Sequence, residues 1–187
     1  MKAAAAGTPP PVLVVMGVTG TGKSTVAAML AEHLGWELRE GDALHPAANI
    51  AKMAAGTPLT DADRWPWLDQ IAGWIDELAA EDAPGIVTCS ALKRSYRDRL
   101  RRPNVTFVHL AGDRATLGAR LATRRGHFMP PSLLDSQLAT LEVPGPDENV
   151  ITIGLSDSTA QEVTEILSKL GRPEPPYGVF PTPAPPG

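Results

Sequence analysis

Residues 12–30 read VLVVMGVTGTGKSTVAAML. Four aliphatic residues, Val12, Leu13, Val14 and Val15, run into a glycine-rich loop, a lysine and hydroxyls. That short run suits a buried parallel strand. Beyond the loop, Val26, Ala27, Leu30, Ala31 and Leu34 recur at helical spacing, and Gly35 ends the helix. The loop itself, Gly17-Val18-Thr19-Gly20-Thr21-Gly22-Lys23-Ser24, matches G-x-x-x-x-G-K-[ST] in full. Glycines there let backbone N–H groups turn inward on an anion, and the helix N-terminus adds partial positive charge. The stretch therefore predicts nucleotide-phosphate binding by Gly17, Val18, Thr19, Gly20, Thr21, Gly22, Lys23, Ser24 and Thr25. Lys23 is placed to reach the β- and γ-phosphates, and Ser24 to hold Mg²⁺.

The rest of the chain continues that strand-loop-helix beginning. WELRE (36–40), GIVTCS (85–90), VTFVHL (105–110) and NVITIG (149–154) read as four further strands. Helices are expected around 46–55, 64–80, 92–101 and 114–124, the last capped by Asp113. A final helix runs to about 170 behind a Ser158/Gln161 capping-box pattern. Strands alternating with helices predict an α/β fold of three layers, with a five-stranded parallel sheet. Ligands of such sheets sit beyond the carboxyl ends of the strands. Residues 125–147, RGHFMPPSLLDSQLATLEVPGPD after Arg124, stand outside this alternation and read as an appended flap.

The 187 residues fit one domain, 12–170. Residues 1–11 read as a flexible lead-in without the apolar core of a signal peptide, and 171–187 as a proline-rich flexible tail. A net charge of −4 argues against a nucleic-acid partner. No apolar run reaches a membrane span, and a lone cysteine fits a reducing, cytoplasmic setting. KRSYRDRLRR (93–102) is strongly basic but reads as a solvated helix face with one or two phosphate contacts. Cys89 has no base nearby in sequence and reads as packed.

A second polar cluster follows strand two, in REGDALHPAANIAKM (39–53). Glu40 and Asp42 are two apart, so they share one side if the strand continues that far. One acid then orders the metal through water while Asp42 faces an acceptor hydroxyl. His45 follows closely enough to touch the same acceptor. Asp61 and Asp63 read as the acidic first turn of a helix, whereas Arg64 offers a fork for a carboxylate. Trp65, Trp67 and Trp74 read as core or pocket wall.

These stretches resemble the gluconate kinases (gluconokinases) of the nucleoside-monophosphate-kinase-like P-loop group. The resemblance is carried by GVTGTGKST, GDALHPAANIAKMAAGTPLTDADRWPWL, CSALKRSYRDRLR and RRGHFMPPSLLDSQLATLEVPGPDE, over about residues 12–170. Glu40 stands where such kinases often carry Asp. The resemblance implies phosphorylation of D-gluconate at its 6-hydroxyl by ATP with Mg²⁺, a homodimer, and a helical lid at about 125–147. It implies Lys23, Asp42 and Arg124 as catalytic groups, with Asp42 the acceptor-side base. It further implies Arg120 and Arg124 as phosphate-facing, and Asp42, His45, Lys52, Arg64, Ser90, Lys93 and His127 as substrate contacts. The rival readings are a shikimate-type or other sugar-acid kinase on the same scaffold, and a nucleotide-binding switch or ATPase. A switch needs no second small-molecule pocket, so the Asp42–His45–Arg64 cluster separates the classes.

Overall fold

The computed structural model describes residues 9–123 and 131–173. Five parallel strands form one sheet: β1 (Val12–Met16), β2 (Glu37–Glu40), β3 (Gly85–Thr88), β4 (Val105–Ala111) and β5 (Val150–Gly154). Their order is β2-β3-β1-β4-β5. The chain builds β2 and β3 on one side of β1 and then crosses to β4 on the other. Adjacent strands that lead away in opposite directions leave a crevice at their carboxyl ends.

Alternation along β1 makes the two cores. Val12, Val14 and Met16 face one layer, formed by α3 (Asp61–Ala80) and α4 (Arg94–Leu100), through Trp67, Ile71, Trp74, Ile75, Tyr96 and Leu100. Leu13 and Val15 face the other, formed by α1 (Lys23–Leu34) and α7 (Thr159–Lys169), through Val26, Leu30, Val163, Ile166 and Leu167. Both faces of β1 are covered, which is why its five residues are all buried and apolar. Among the described residues, no helix is long and apolar enough to cross a membrane.

Several boundaries differ from the sequence reading. Strand β2 stops at Glu40, and Gly41–Leu44 form a 3₁₀ turn, so Glu40 and Asp42 do not continue one strand. Helix α2 (Ala47–Ala54) follows that turn. Helix α3 starts at Asp61 rather than 64, because Thr60 accepts the Asp63 N–H and Asp63 in turn accepts from the Thr60 backbone. That reciprocal cap adds a turn ahead of Pro66, whose ring would otherwise sit at the helix start. Helix α4 begins two residues late, since Ala91 takes a left-handed φ of 45°. Asp113 caps α5 (Arg114–Thr123) as expected, accepting the Thr116 N–H at 2.7 Å. The Ser158 side chain caps nothing. Glu162 instead reaches back from α7 and accepts the Ser156 N–H at 2.9 Å.

Of the segment expected as a lid, residues 131–147 are fastened to the body, while 125–130 lie outside the described residues. Leu134 of α6 (Pro131–Thr140) packs with Val18, Leu92 and Leu117. The Glu142 N–H then donates to the Leu92 carbonyl at 2.8 Å, and the Glu142 carboxylate accepts the Arg94 N–H at 2.7 Å.

The basic run 93–102 is a solvated face except at Arg97. Arg97 is 1% exposed. Its Nε donates to Glu148 at 2.6 Å and its Nη2 to the other carboxylate oxygen at 3.2 Å. Its Nη1 reaches the carbonyls of Ala91 and Leu92 at 2.9 and 3.1 Å. One side chain thus ties the loop after β3 to the segment before β5. The other cations of the run each pair with an acid: Lys93 with Asp61, Arg94 with Asp147, Arg99 with Asp69, Arg101 with Asp98 and Arg102 with Asp76.

Breaking a buried ion pair on one side leaves a desolvated charge, at a cost of about 3–5 kcal/mol. Arg97→Leu is therefore expected to lower the denaturant midpoint sharply. Arg97→Met with Glu148→Leu should recover much of that loss, because no charge then remains buried. If the single and double variants unfold at the same denaturant concentration, the pair does not hold the loop.

Candidate active site

The phosphate loop closes over the carboxyl end of β1. Gly17 has φ 147°, and a Cβ there would lie 2.8 Å from the Leu110 carbonyl of β4, so a side chain cannot be accommodated. The Thr21 hydroxyl donates to the Val18 carbonyl at 2.9 Å and Lys23 Nζ to the same oxygen at 3.1 Å, which folds the loop on itself. Among the described residues, no side chain caps the N-terminus of α1. Its N–H groups are left to an anion, the arrangement that the motif requires. One loop donor is engaged from outside: the Thr19 N–H donates to Gln137 Oε1 of α6 at 2.7 Å.

Glu40 stands beside the loop rather than across from it. Its Oε2 accepts from the Ser24 hydroxyl at 3.1 Å and also from the Thr88 hydroxyl. Two oxygen donors of the hard type thus meet at the start of α1. Such a pair suits Mg²⁺, which keeps most of its waters and takes one or two carboxylates plus substrate phosphate.

Asp42 is positioned by the residue before it. A Cβ on Gly41 would fall 2.0 Å from the Thr88 carbonyl, so β2 can end against β3 only with glycine here. The Gly41 N–H donates to the Thr88 hydroxyl at 3.2 Å, and its carbonyl accepts from Trp67 Nε1 at 2.8 Å. Clamped on both sides, the turn leaves Asp42 exposed at the crevice. Cys89, at the end of β3, feels the charges of both Asp42 and Lys23, so both lie near that strand end. Burial pushes the Cys89 thiol up to about 12, in keeping with a packed residue.

His45 stacks on Trp67 at 4.2 Å between ring centroids, with the planes 15° apart. Burial lowers its pKa; the nearby Asp42 charge opposes that shift and Arg64 adds to it. His45 thus lies within electrostatic reach of both the carboxylate and the guanidinium. Arg64 is held by the Leu59 carbonyl at 2.7 Å and lies 5.7 Å from the Tyr96 ring centroid. Among the described residues it forms no ion pair.

The other two predicted cations are engaged. Lys52 donates to both oxygens of Asp63 at 2.9 and 2.8 Å, and this bond, with two from Thr60, drops the Asp63 pKa to about 2. Lys93 donates to both oxygens of Asp61 at 3.0 Å, and Tyr96 donates to the same acid. Arg120, expected at the phosphates, donates to the Ser156 carbonyl at 2.6 Å. Ser90 sits in the loop after β3, where its carbonyl accepts the Gly17 N–H at 3.4 Å. Thr25 is exposed on the first turn of α1. Arg124 and His127 lie outside the described residues. Gly41, Asn49, Tyr96 and Gln137 were not singled out from sequence. Asn49 carries a legible signal, its place four residues after His45 at the start of a helix.

A family model described as an AAA domain matches residues 12–144. The gluconokinase of Gluconobacter oxydans (strain 621H) is 57% identical over 149 residues, 79% of this chain and 84% of that protein. The crystal structure of a gluconokinase from Sinorhizobium meliloti 1021 has a TM-score of 0.79 at 48% identity, covering 87% of this chain and 92% of that one. An unliganded sugar kinase from Janibacter sp. HTCC2649 has a TM-score of 0.82 at 49% identity, covering 87% of this chain and 95% of that one.

Lys23 is half-exposed and lies outside both main apolar cores, so its removal should leave folding intact. Removing one preorganised charge-stabilising donor typically costs about 10²–10³-fold in rate. Lys23→Ala is expected to lose at least that much phosphoryl transfer while its thermal unfolding matches wild type. Near-normal turnover by the folded variant would remove Lys23 from the chemistry.

Proposed function

Because this chain belongs to the gluconokinase family, we propose that it phosphorylates D-gluconate with ATP, giving 6-phospho-D-gluconate and ADP. The observation that carries the reading is one juxtaposition. The phosphate loop at the end of β1 and the Asp42–His45–Arg64 set after β2 flank the end of β3.

The reaction needs little covalent work from the protein. Phosphoryl transfer passes through a loose transition state with charge on the equatorial oxygens, so positioning and neutralisation dominate. The loop N–H groups and Lys23 bind the β- and γ-phosphates. Mg²⁺, when bound, supplies further positive charge to those oxygens, and Ser24 and Glu40 are the side chains that would hold it. Asp42 accepts the proton of the gluconate 6-hydroxyl as that oxygen bonds to the γ-phosphorus. The bond from the γ-phosphorus to the β,γ-bridging oxygen breaks, and ADP leaves with those electrons.

Arg64 is the cation for the far end of the acceptor. Lys52 and Lys93 already carry carboxylate partners, which lowers the attraction they offer to an incoming acid. Arg64 is fixed by a backbone carbonyl and an aromatic face, so its remaining N–H groups are oriented before substrate arrives.

A positioned base is worth about 10²–10⁴-fold in rate. Asp42→Asn should lower kcat within that range and leave ATP affinity nearly unchanged. Collapse of ATP affinity with kcat preserved would make Asp42 a metal or structural group instead. For Arg64, a hydrogen bond to a charged group is worth about 1.5–3 kcal/mol, or about 10–150-fold. Arg64→Ala is expected to raise KM for gluconate by that factor and to narrow the preference for gluconate over a neutral open-chain polyol. An unchanged gluconate-to-polyol ratio of kcat/KM would assign Arg64 a structural role. ATP hydrolysis that does not depend on gluconate would favour a switch or ATPase.

A further inference from the structure

Asn49 is 4% exposed, the most buried amide side chain near the crevice. Its Nδ2 lies 2.9 Å from the Asp63 carbonyl and 3.2 Å from His45 Nδ1. A carbonyl oxygen only accepts, so the group facing Asp63 must be the NH₂ and not the amide oxygen. The second hydrogen of that NH₂ then points to His45 Nδ1, which must accept it. A neutral imidazole that accepts at Nδ1 carries its proton on Nε2. Among the described residues, Nε2 has no hydrogen-bond partner, and the ring is only partly buried.

We propose that Asn49 is a positioning residue that locks His45 as the Nε2–H tautomer, so that the ring donates to the carboxylate of the acceptor beside Arg64. The proposal rests on the gluconate reading of this site. The tautomer matters for a carboxylate in a way it does not for a hydroxyl. A hydroxyl can accept from Nε2–H or donate to a bare Nε2, but an ionised carboxylate only accepts. The lock therefore favours acids over neutral polyols without adding a charge. Stacking on Trp67 holds the ring plane, and Trp67 is itself tied to the Gly41 carbonyl, so the donor direction is fixed by the turn that presents Asp42.

The charged groups that reach His45 are Asp42 from the 3₁₀ turn and Arg64 from α3. The nearby Asp63 carboxylate is engaged by Lys52 and Thr60. An Nδ1–H would oppose the Asn49 N–H, so the ring stays neutral to lower pH and keeps its Nε2–H throughout the neutral and basic range.

Two measurements test this. The first is ¹⁵N NMR of histidine-labelled wild-type protein without substrate, with the His45 signal identified by its loss in His45→Gln. The expected result is a pyrrole-like Nε2 and a pyridine-like Nδ1; the reverse pattern overturns the lock. The second is KM for gluconate against pH in Asn49→Asp. The new carboxylate keeps the proton on Nδ1, so deprotonation of the ring strips Nε2. KM for gluconate should then rise at least about tenfold from pH ~6 to pH ~9, the worth of one hydrogen bond to a charged group. Wild type should show no such step, and KM for ATP should stay flat in both. A pH-independent gluconate KM in folded Asn49→Asp overturns the role of His45 at the carboxylate. Failure of wild type to phosphorylate gluconate would overturn the functional reading itself, and the NMR measurement, which needs no substrate, would still decide the tautomer.

Discussion

The site depends on one close approach: the end of β2 lies against the end of β3 with no room for a side chain between them. A Cβ at Gly41 would sit 2.0 Å from the Thr88 carbonyl, well inside any tolerable contact. The same residue gives its N–H to the Thr88 hydroxyl and its carbonyl to Trp67. Asp42 inherits its position from that clamp, and His45 inherits its plane from Trp67. Thr88 also donates to Glu40, the acid beside Ser24. A single strand junction thus sets Asp42, the histidine and the oxygen pair at the start of α1.

Charge in this protein is arranged by pairing rather than by net sign. The run 93–102 holds six basic residues, yet its exposed cations each meet an acid, and its central arginine is buried as a structural tie. Lys52 and Lys93 are drawn to Asp63 and Asp61 on the first turn of α3. Arg64, on the same turn, is instead held by a carbonyl and an aromatic ring. Of these three cations it is the one without a carboxylate partner among the described residues.

The segment after α5 shows how the two halves of the site are held together. Helix α6 touches the phosphate loop through Leu134 and Gln137, and the residues after it bind the loop that follows β3 through Glu142 and Glu148. Phosphate loop and acceptor loop are therefore braced by one stretch of chain.

Residues 12–30 determined the strand, the loop and the helix by themselves, because glycine spacing, a lysine and an apolar period are local properties. The alternation of strands and helices likewise determined a parallel sheet, since each buried face needs a helix to cover it. Asp42 was legible as a site residue, but its geometry was not: a strand continuing to Asp42 and a 3₁₀ turn look alike in sequence, and only contact with Thr88 chose the turn. Arg97 looked like its neighbours in a basic run, because burial opposite Glu148 depends on a residue 51 positions away. Arg64 stood ahead of Lys52 and Lys93 in the sequence only for its planar fork; the tertiary structure separated them further by placing a carboxylate against each lysine and none against the arginine among the described residues. Long-range proximity decided each of these, and no local propensity encodes it.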